Sequence, residues 1–186
     1  MRYFLPTIMP IRHADPERDG AACAAVYAPA VTDGYASFEE VAPCAQDMAA
    51  RIALASSTHA WLVHEDGGRV TGYAYAGPHH VRAAYRWAAA VAVYVHPDHH
   101  RRGIGRELYG ALLPLLTRQN LRWACAGITL PNPASVALHE SFGFAPVAVY
   151  PQIGFKAGAW HDVGWWQLEL GPAGTPPSQP LGPQRL

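Results

Sequence analysis

Lysine is almost absent: Lys156 is the only one in 186 residues. A Walker-type nucleotide loop ends in Lys-Ser or Lys-Thr, and no Gly-rich turn here does, so that way of holding phosphate is excluded. Cysteine is scarce too. Cys23, Cys44 and Cys125 are odd in number, widely spaced and in no Cys-x-x-Cys pair. That argues against a disulfide scaffold and fits a reducing, cytoplasmic setting with each thiol a small hydrophobe. Net charge is lacking, because 14 basic residues balance 14 acidic ones. No overall field draws the chain to nucleic acid or to an anionic membrane, so any anion recognition must be local. Long apolar runs are missing as well. The stretch FLPTIMPI near the start is broken by two prolines and is too short for a secretory or spanning segment.

What is present is ample core material: half of the residues are hydrophobic, enough at this length for one domain. Met9 offers a second start, which leaves residues 1–8 as an N-terminal extension, 9–170 as the domain and 171–186 as a tail. The tail, GPAGTPPSQPLGPQRL, is too rich in Pro, Gly and Ser to bury much and is expected to be loose. Within the domain, Pro10 to His13 reads as a strand, and Asp15-Pro16-Glu17 opens a helix that runs towards Val31. A second helix covers 46–54. WLVHEDGGRVTGYAYAG reads as a hairpin turning at Asp66-Gly67-Gly68. Then come a strand at 88–95, a helix at 104–119 that Pro114 should kink or shorten, a strand at 121–129, a helix at 134–142 and two strands before residue 170. This order predicts an α/β layered fold with a mixed sheet.

The strand at 88–95 leads without a break into His96-Pro97-Asp98-His99-His100-Arg101-Arg102-Gly103-Ile104-Gly105-Arg106. Backbone N–H groups of residues 101–106 can converge on an anion at the positive end of the next helix, and the two glycines let it come close. The third glycine of a dinucleotide fingerprint is missing, since Leu108 stands there. The histidines of this loop are not read as metal ligands, because no Cys or carboxylate recurs at ligand spacing.

HHRRGIGREL is similar to the acetyl-CoA loop of the GNAT N-acetyltransferases: Gln or Arg, two residues, Gly, any residue, then Gly or Ala. His100 departs from the Gln/Arg position. AWLVHEDGGRVTGYAYAG, YVHPDHHRRGIGRELY, ITLPNPASVALHESFGF and GFKAGAWHDVGWWQLEL resemble, in order, blocks of the phosphinothricin and methionine sulfoximine N-acetyltransferase branch over residues 10–170. The resemblance implies a single-domain, mostly antiparallel mixed sheet, flanked by helices and splayed between the strands at 88–95 and 121–129. It implies acetyl-CoA as cosubstrate, no metal, a small-molecule amine as partner, no nucleic acid or membrane, and a homodimer.

Residue by residue, the resemblance assigns the backbone of Val93, Tyr94 and Val95 to the pantetheine amides. Arg101, Arg102, Gly103, Ile104, Gly105 and Arg106 are assigned to the pyrophosphate, and Asn132 and Ser141 to the cofactor's other side. Phe38 and Tyr85 are aromatic walls of the amine site, and Arg82 is a fork for a substrate carboxylate. His139 becomes the proton-transfer candidate; a helix histidine bonded to a backbone carbonyl is the other reading of it. In this branch a strand glutamate usually acts as base, and its position is Ala90 here. The expected activity is direct acetylation of a small amino acid or analogue. A catalytically impaired acyl-CoA-binding protein, or an acetyltransferase for another amine such as a protein N-terminus, are the alternatives.

Overall fold

A computed structural model describes residues 10–172 and 174–183 of the chain, so the expected extension at 1–8 lies outside the described residues. The elements in chain order are β1 (Ile11–His13), α1 (Pro16–Thr32), α2 (Ala45–Ser56), β2 (Trp61–Asp66), β3 (Arg69–Pro78), β4 (Ala88–Val95), α3 (Ile104–Arg118), β5 (Trp123–Thr129), α4 (Pro133–Ser141), β6 (Ala145–Lys156) and β7 (Ala159–Glu169). The strands form one sheet in the order β1-β2-β3-β4-β5-β7-β6. Every neighbouring pair is antiparallel except β4 and β5, which run parallel.

Local chemistry accounts for these boundaries. The Asp15 side chain accepts the backbone N–H groups of Glu17 and Arg18, and Pro16 supplies a first residue that has no N–H to satisfy. The β2–β3 turn places Gly67 and Gly68 at φ 56° and 79°, the left-handed pair that a two-residue hairpin of matching twist demands. Pro114 does not shorten α3, contrary to expectation. It lies on the exposed side, away from buried Leu112, Leu113, Leu115 and Leu116. The carbonyl freed by its missing N–H belongs to exposed Gly110, where water can replace the bond.

Side chains alternate across the sheet and build two cores. Ala89, Val91, Val93 and Val95 of β4 pack with α3 and Phe144. Tyr94 of the same strand joins Tyr73, Tyr75 and Trp61 under α1 and α2. The tail also differs from expectation. Residues 174–183 form no helix or strand, yet Gln119, itself buried, donates from Nε2 to the Leu181 carbonyl at 3.1 Å and accepts the Leu181 N–H at its backbone carbonyl at 2.8 Å. Trp87 Nε1 donates to the Ser178 carbonyl at 2.7 Å. Composition reports how little apolar surface a tail can bury; it is silent on carbonyls that meet donors left over on the domain.

Candidate active site

β4 and β5 pair over only three positions: Ala88 with Trp123, Ala89 with Ala124, and Ala90 with Cys125. Beyond Ala90 the two strands part. β4 continues to Val95, bound on its other edge to β3, so Val91–Val95 present an edge that β5 does not cover. Val93, Tyr94 and Val95 lie in that open stretch. An uncovered strand edge carries obligatory donors and acceptors, and an extended ligand with amides of its own can satisfy them.

The edge ends in a backbone cradle. Arg101 and Gly103 take left-handed φ values of 61° and 85°, the kind of turn in which successive N–H groups can converge on an anion. The first N–H of this region with a backbone acceptor is that of Glu107, on the Gly103 carbonyl at 3.0 Å. The N–H groups of residues 101–106 have no acceptor among the described residues. They sit at the positive end of a fifteen-residue helix. The exposed side chains of Arg101, Arg102 and Arg106 add charge, with the Arg106 guanidinium 5.8 Å from the Phe142 ring centre. Gly105 serves packing as well: a Cβ there would stand 3.1 Å from Leu138 of α4. His100, the irregular member of the loop, has its own task. Its Nε2–H donates to the Val95 carbonyl at 2.9 Å, which ties the loop back to the end of β4. Among the described residues no group of three His, Cys, Asp or Glu side chains is placed to hold a metal ion.

On the far side of the opening, Asn132 caps α4 by accepting the Ser135 N–H at 3.1 Å. Ser141 is exposed and donates to the Leu138 carbonyl at 2.7 Å. Asn132 therefore stands where β5 passes into α4, and Ser141 at the other end of that helix.

His139 does not stand where a proton-transfer group should. It is only 3 % exposed. Its Nδ1–H donates to the Ser135 carbonyl at 2.7 Å, one turn back, which leaves the Nε2 lone pair to accept the Tyr109 hydroxyl at 2.9 Å. The ring also packs edge-on against Tyr109 and Phe144. Burial holds its pKa below the ordinary histidine value, against the pull of the Ser135 carbonyl. This is the histidine–carbonyl arrangement, and as placed neither nitrogen is open to a substrate. Tyr109 lies thirty residues away in sequence, so the pairing has no local signal.

The three substrate-site residues separate. Phe38 lies against Gly154 of β6, and its ring centre is 6.4 Å from that of His161 on β7. The Tyr85 ring lies tilted against those of His80 and His79, with centres 4.9 and 6.2 Å away. His79 in turn meets Trp165 of β7 edge-on at 5.7 Å. Phe38 and Tyr85 therefore flank two parts of one β7 face, four residues apart. Arg82 is exposed and lines, with Tyr85, a cavity of ≈ 450 Å³ that Gln119 and Leu181 also border, which leaves Phe38 apart from the other two. It forms no ion pair among the described residues. A second cavity, of ≈ 370 Å³, opens under α1 and α2 between Tyr27, Glu39, Arg51 and Tyr75, but its guanidinium is already taken: Arg51 donates to both Glu39 oxygens at 2.7 and 2.8 Å.

Two contributors were missed in the sequence. Tyr35 stacks on His161 at 4.2 Å and donates to the Pro131 carbonyl at 3.2 Å, which joins the α1–α2 segment to the mouth of β5. Lys156 Nζ donates to the carbonyls of Val31, Ser37 and Glu39 at 2.7, 2.6 and 2.6 Å, fixing the segment that carries Phe38. Its being the sole lysine was the available signal.

Comparison with known proteins agrees with this geometry. Residues 29–144 match the model of the acetyltransferase (GNAT) family. The chain is 37 % identical over 159 residues to phosphinothricin N-acetyltransferase of Alcaligenes faecalis, covering 84 % of this chain and 81 % of that one. It is 43 % identical over 122 residues to the Streptomyces viridochromogenes enzyme of the same name, covering 65 % and 67 %. Among solved structures, a phosphinothricin acetyltransferase from Sinorhizobium meliloti in complex with AcCoA superposes with a TM-score of 0.85 at 32 % identity, over 93 % of this chain and 94 % of that one. The chain therefore belongs to the acetyltransferase (GNAT) family.

Proposed function

We propose that the chain is an acetyl-CoA-dependent N-acetyltransferase that acetylates the amino group of a small amino acid or analogue, of the phosphinothricin or methionine sulfoximine kind, by direct transfer. The observation that carries this reading is that the uncovered β4 edge, Val91–Val95, leads into six consecutive amides, at 101–106, without acceptors among the described residues. In this reading the backbone of Val93, Tyr94 and Val95 pairs with the pantetheine amides, residues 101–106 take the pyrophosphate, and Asn132 and Ser141 border the opposite side. Phe38, Tyr85 and Arg82 face the amine substrate, and the relatives' names supply its class. Cys125, which pairs with Ala90 where the strands part, supports direct transfer: burial raises its pKa, which disfavours the thiolate an acyl-enzyme would need. We further infer a homodimer. Val147, Val149, Ile153 and Phe155 of β6 and Trp160 of β7 are each 55–60 % exposed, an apolar strip of the sort that marks an interface. Three free cysteines support a reducing, cytoplasmic setting.

The test has two stages. Acetyl-CoA at a hundred times its Kd should stabilise the fold by about 2.7 kcal/mol, read as a saturable rise in melting temperature; no rise refutes the cosubstrate assignment. Release of the CoA thiol is then followed with amino acids, phosphinothricin, methionine sulfoximine and an N-terminal peptide. Stabilisation without thiol release from any amine would favour a non-catalytic acyl-CoA-binding protein, the reading that Ala90 supports.

A further inference from the structure

The point where β4 and β5 part is lined on the α1/α2 face by small side chains: Ala88 and Ala90 on β4, Cys125 and Gly127 on β5. Two large side chains reach over them from opposite sides. Trp165, across from Gly127 on β7, lays its indole over that glycine, so close that a Cβ there would stand 3.2 Å from the ring. His79 follows the end of β3, where Pro78 pairs with Ala89 and Gly77 with Ala90, and its own N–H donates to the Ala88 carbonyl at 3.3 Å. By strand alternation its side chain shares the face of Ala88 and Ala90, and Ala90 is its diagonal neighbour, within reach of a side chain of this length. The two rings meet edge-on at 5.7 Å.

Both rings also carry a buried nitrogen without a partner among the described residues: His79 Nδ1 and Trp165 Nε1. An unsatisfied buried polar atom costs roughly 1–3 kcal/mol, and these two, on neighbouring rings above the seam where the strands open, are available to the polar atoms of a substrate. Trp165 Nε1 can only donate. His79 Nδ1 can accept when the ring is neutral with its proton on Nε2.

We propose that His79 is the base for the transfer reaction, taking over from the strand side chain that is reduced to a methyl group at Ala90. This rests on the N-acetyltransferase reading above. The incoming ammonium loses one proton to His79 Nδ1, and the neutral amine's lone pair forms the C–N bond to the thioester carbonyl carbon. The C–S bond breaks with its electron pair on sulfur, the thiolate takes the second proton leaving the nitrogen, and His79 passes the first to water. The indole N–H of Trp165 is a donor for an acceptor atom of the same amine. The titratable and charged groups around His79 are His80, Arg82, Tyr85 and Arg86 in the segment that follows it, Cys125 on β5, which pairs with Ala90, and Tyr150 on β6, whose ring is 6.0 Å from Trp165. No carboxylate forms an ion pair with it among the described residues.

The test compares His79→Ala and the shape-conserving His79→Gln with the unaltered protein. Both should lose about 10²–10⁴-fold in kcat and lose the acid limb of the kcat/KM–pH profile, while the melting shift with acetyl-CoA is retained. Ala90→Glu added to His79→Ala should recover at least tenfold of the lost rate. Unchanged turnover with the acid limb still present would overturn the assignment. Should the unaltered protein acetylate no amine, the N-acetyltransferase reading falls separately, and the placement of His79 is judged by NMR: acetyl-CoA must shift the His79 ring signals and leave those of buried His59 in place. Unmoved His79 signals would overturn it.

Discussion

His139 is built as a strut, and its removal should show up in stability before it shows up in catalysis. In His139→Gln the Tyr109 hydroxyl, fully enclosed, loses its acceptor at 2.9 Å, and the Ser135 carbonyl loses its donor at 2.7 Å. One of these a glutamine amide can replace; the other is left buried and unpaired, at a cost of roughly 1–3 kcal/mol. The pH dependence sharpens the expectation. Burial depresses the folded-state pKa of His139, so below the unfolded value of about 6.5 the unfolded chain binds a proton that the folded one resists. Stability contributed by the neutral ring is therefore complete above that value and falls as pH drops from it towards the folded pKa, by at most about 1.4 kcal/mol per pH unit. Urea unfolding between pH 5 and 7.5 measures this directly: the variant should be less stable at pH 7.5, and the gap should narrow on acidification. Tyr109→Phe should likewise lose roughly 1–3 kcal/mol, because Nε2 is then the unpaired atom. A His139→Gln protein with unchanged stability at every pH but turnover lowered a hundredfold would refute this reasoning and restore His139 to the chemistry.

Lys156→Met should cost about 2–4 kcal/mol, since three charge-assisted hydrogen bonds are lost and the carbonyls of buried Val31 and Ser37 and half-buried Glu39 are only partly rehydrated. Hydrogen exchange should quicken in residues 33–40 and KM for the amine should rise, with acetyl-CoA binding unchanged; unaltered exchange there would contradict the clamp. The proposed homodimer is tested by Ile153→Asp with Phe155→Asp, which should weaken self-association about a hundredfold or more, seen by sedimentation as a shift towards monomer relative to the unaltered chain; a profile identical to that of the unaltered chain would refute a dimer built on this strip.

The features that were legible in the sequence are those whose cause is local. Asp15-Pro16 caps α1, Gly67-Gly68 turns the hairpin, and Gly103 ends the loop before α3, each through conformational or capping preferences of adjacent residues. The parting of β4 from β5 was expected from resemblance alone, because nothing in an alanine-valine strand states how many of its residues a neighbour will cover. What stayed hidden depends on partners far along the chain. His139 looked available for chemistry until Tyr109 closed its second nitrogen. His79 and Trp165 are 86 positions apart and have no shared periodicity. Gln119, at the end of a helix, gave no hint that it would hold Leu181. Pro114 was misjudged for a different reason: a helix breaker is costly only where the freed carbonyl is buried, and the face that Pro114 occupies follows from the leucine pattern around it.

The single lysine has one more consequence. A protein that handles an activated acetyl thioester exposes its own amines to it, and an unprotonated ε-amine would be acylated in competition with substrate. Here the only ε-amine has all three of its hydrogens committed to the carbonyls of Val31, Ser37 and Glu39. With those bonds in place Nζ has no lone pair to offer an electrophile, so the folded chain carries no side-chain amine that its acyl donor could modify.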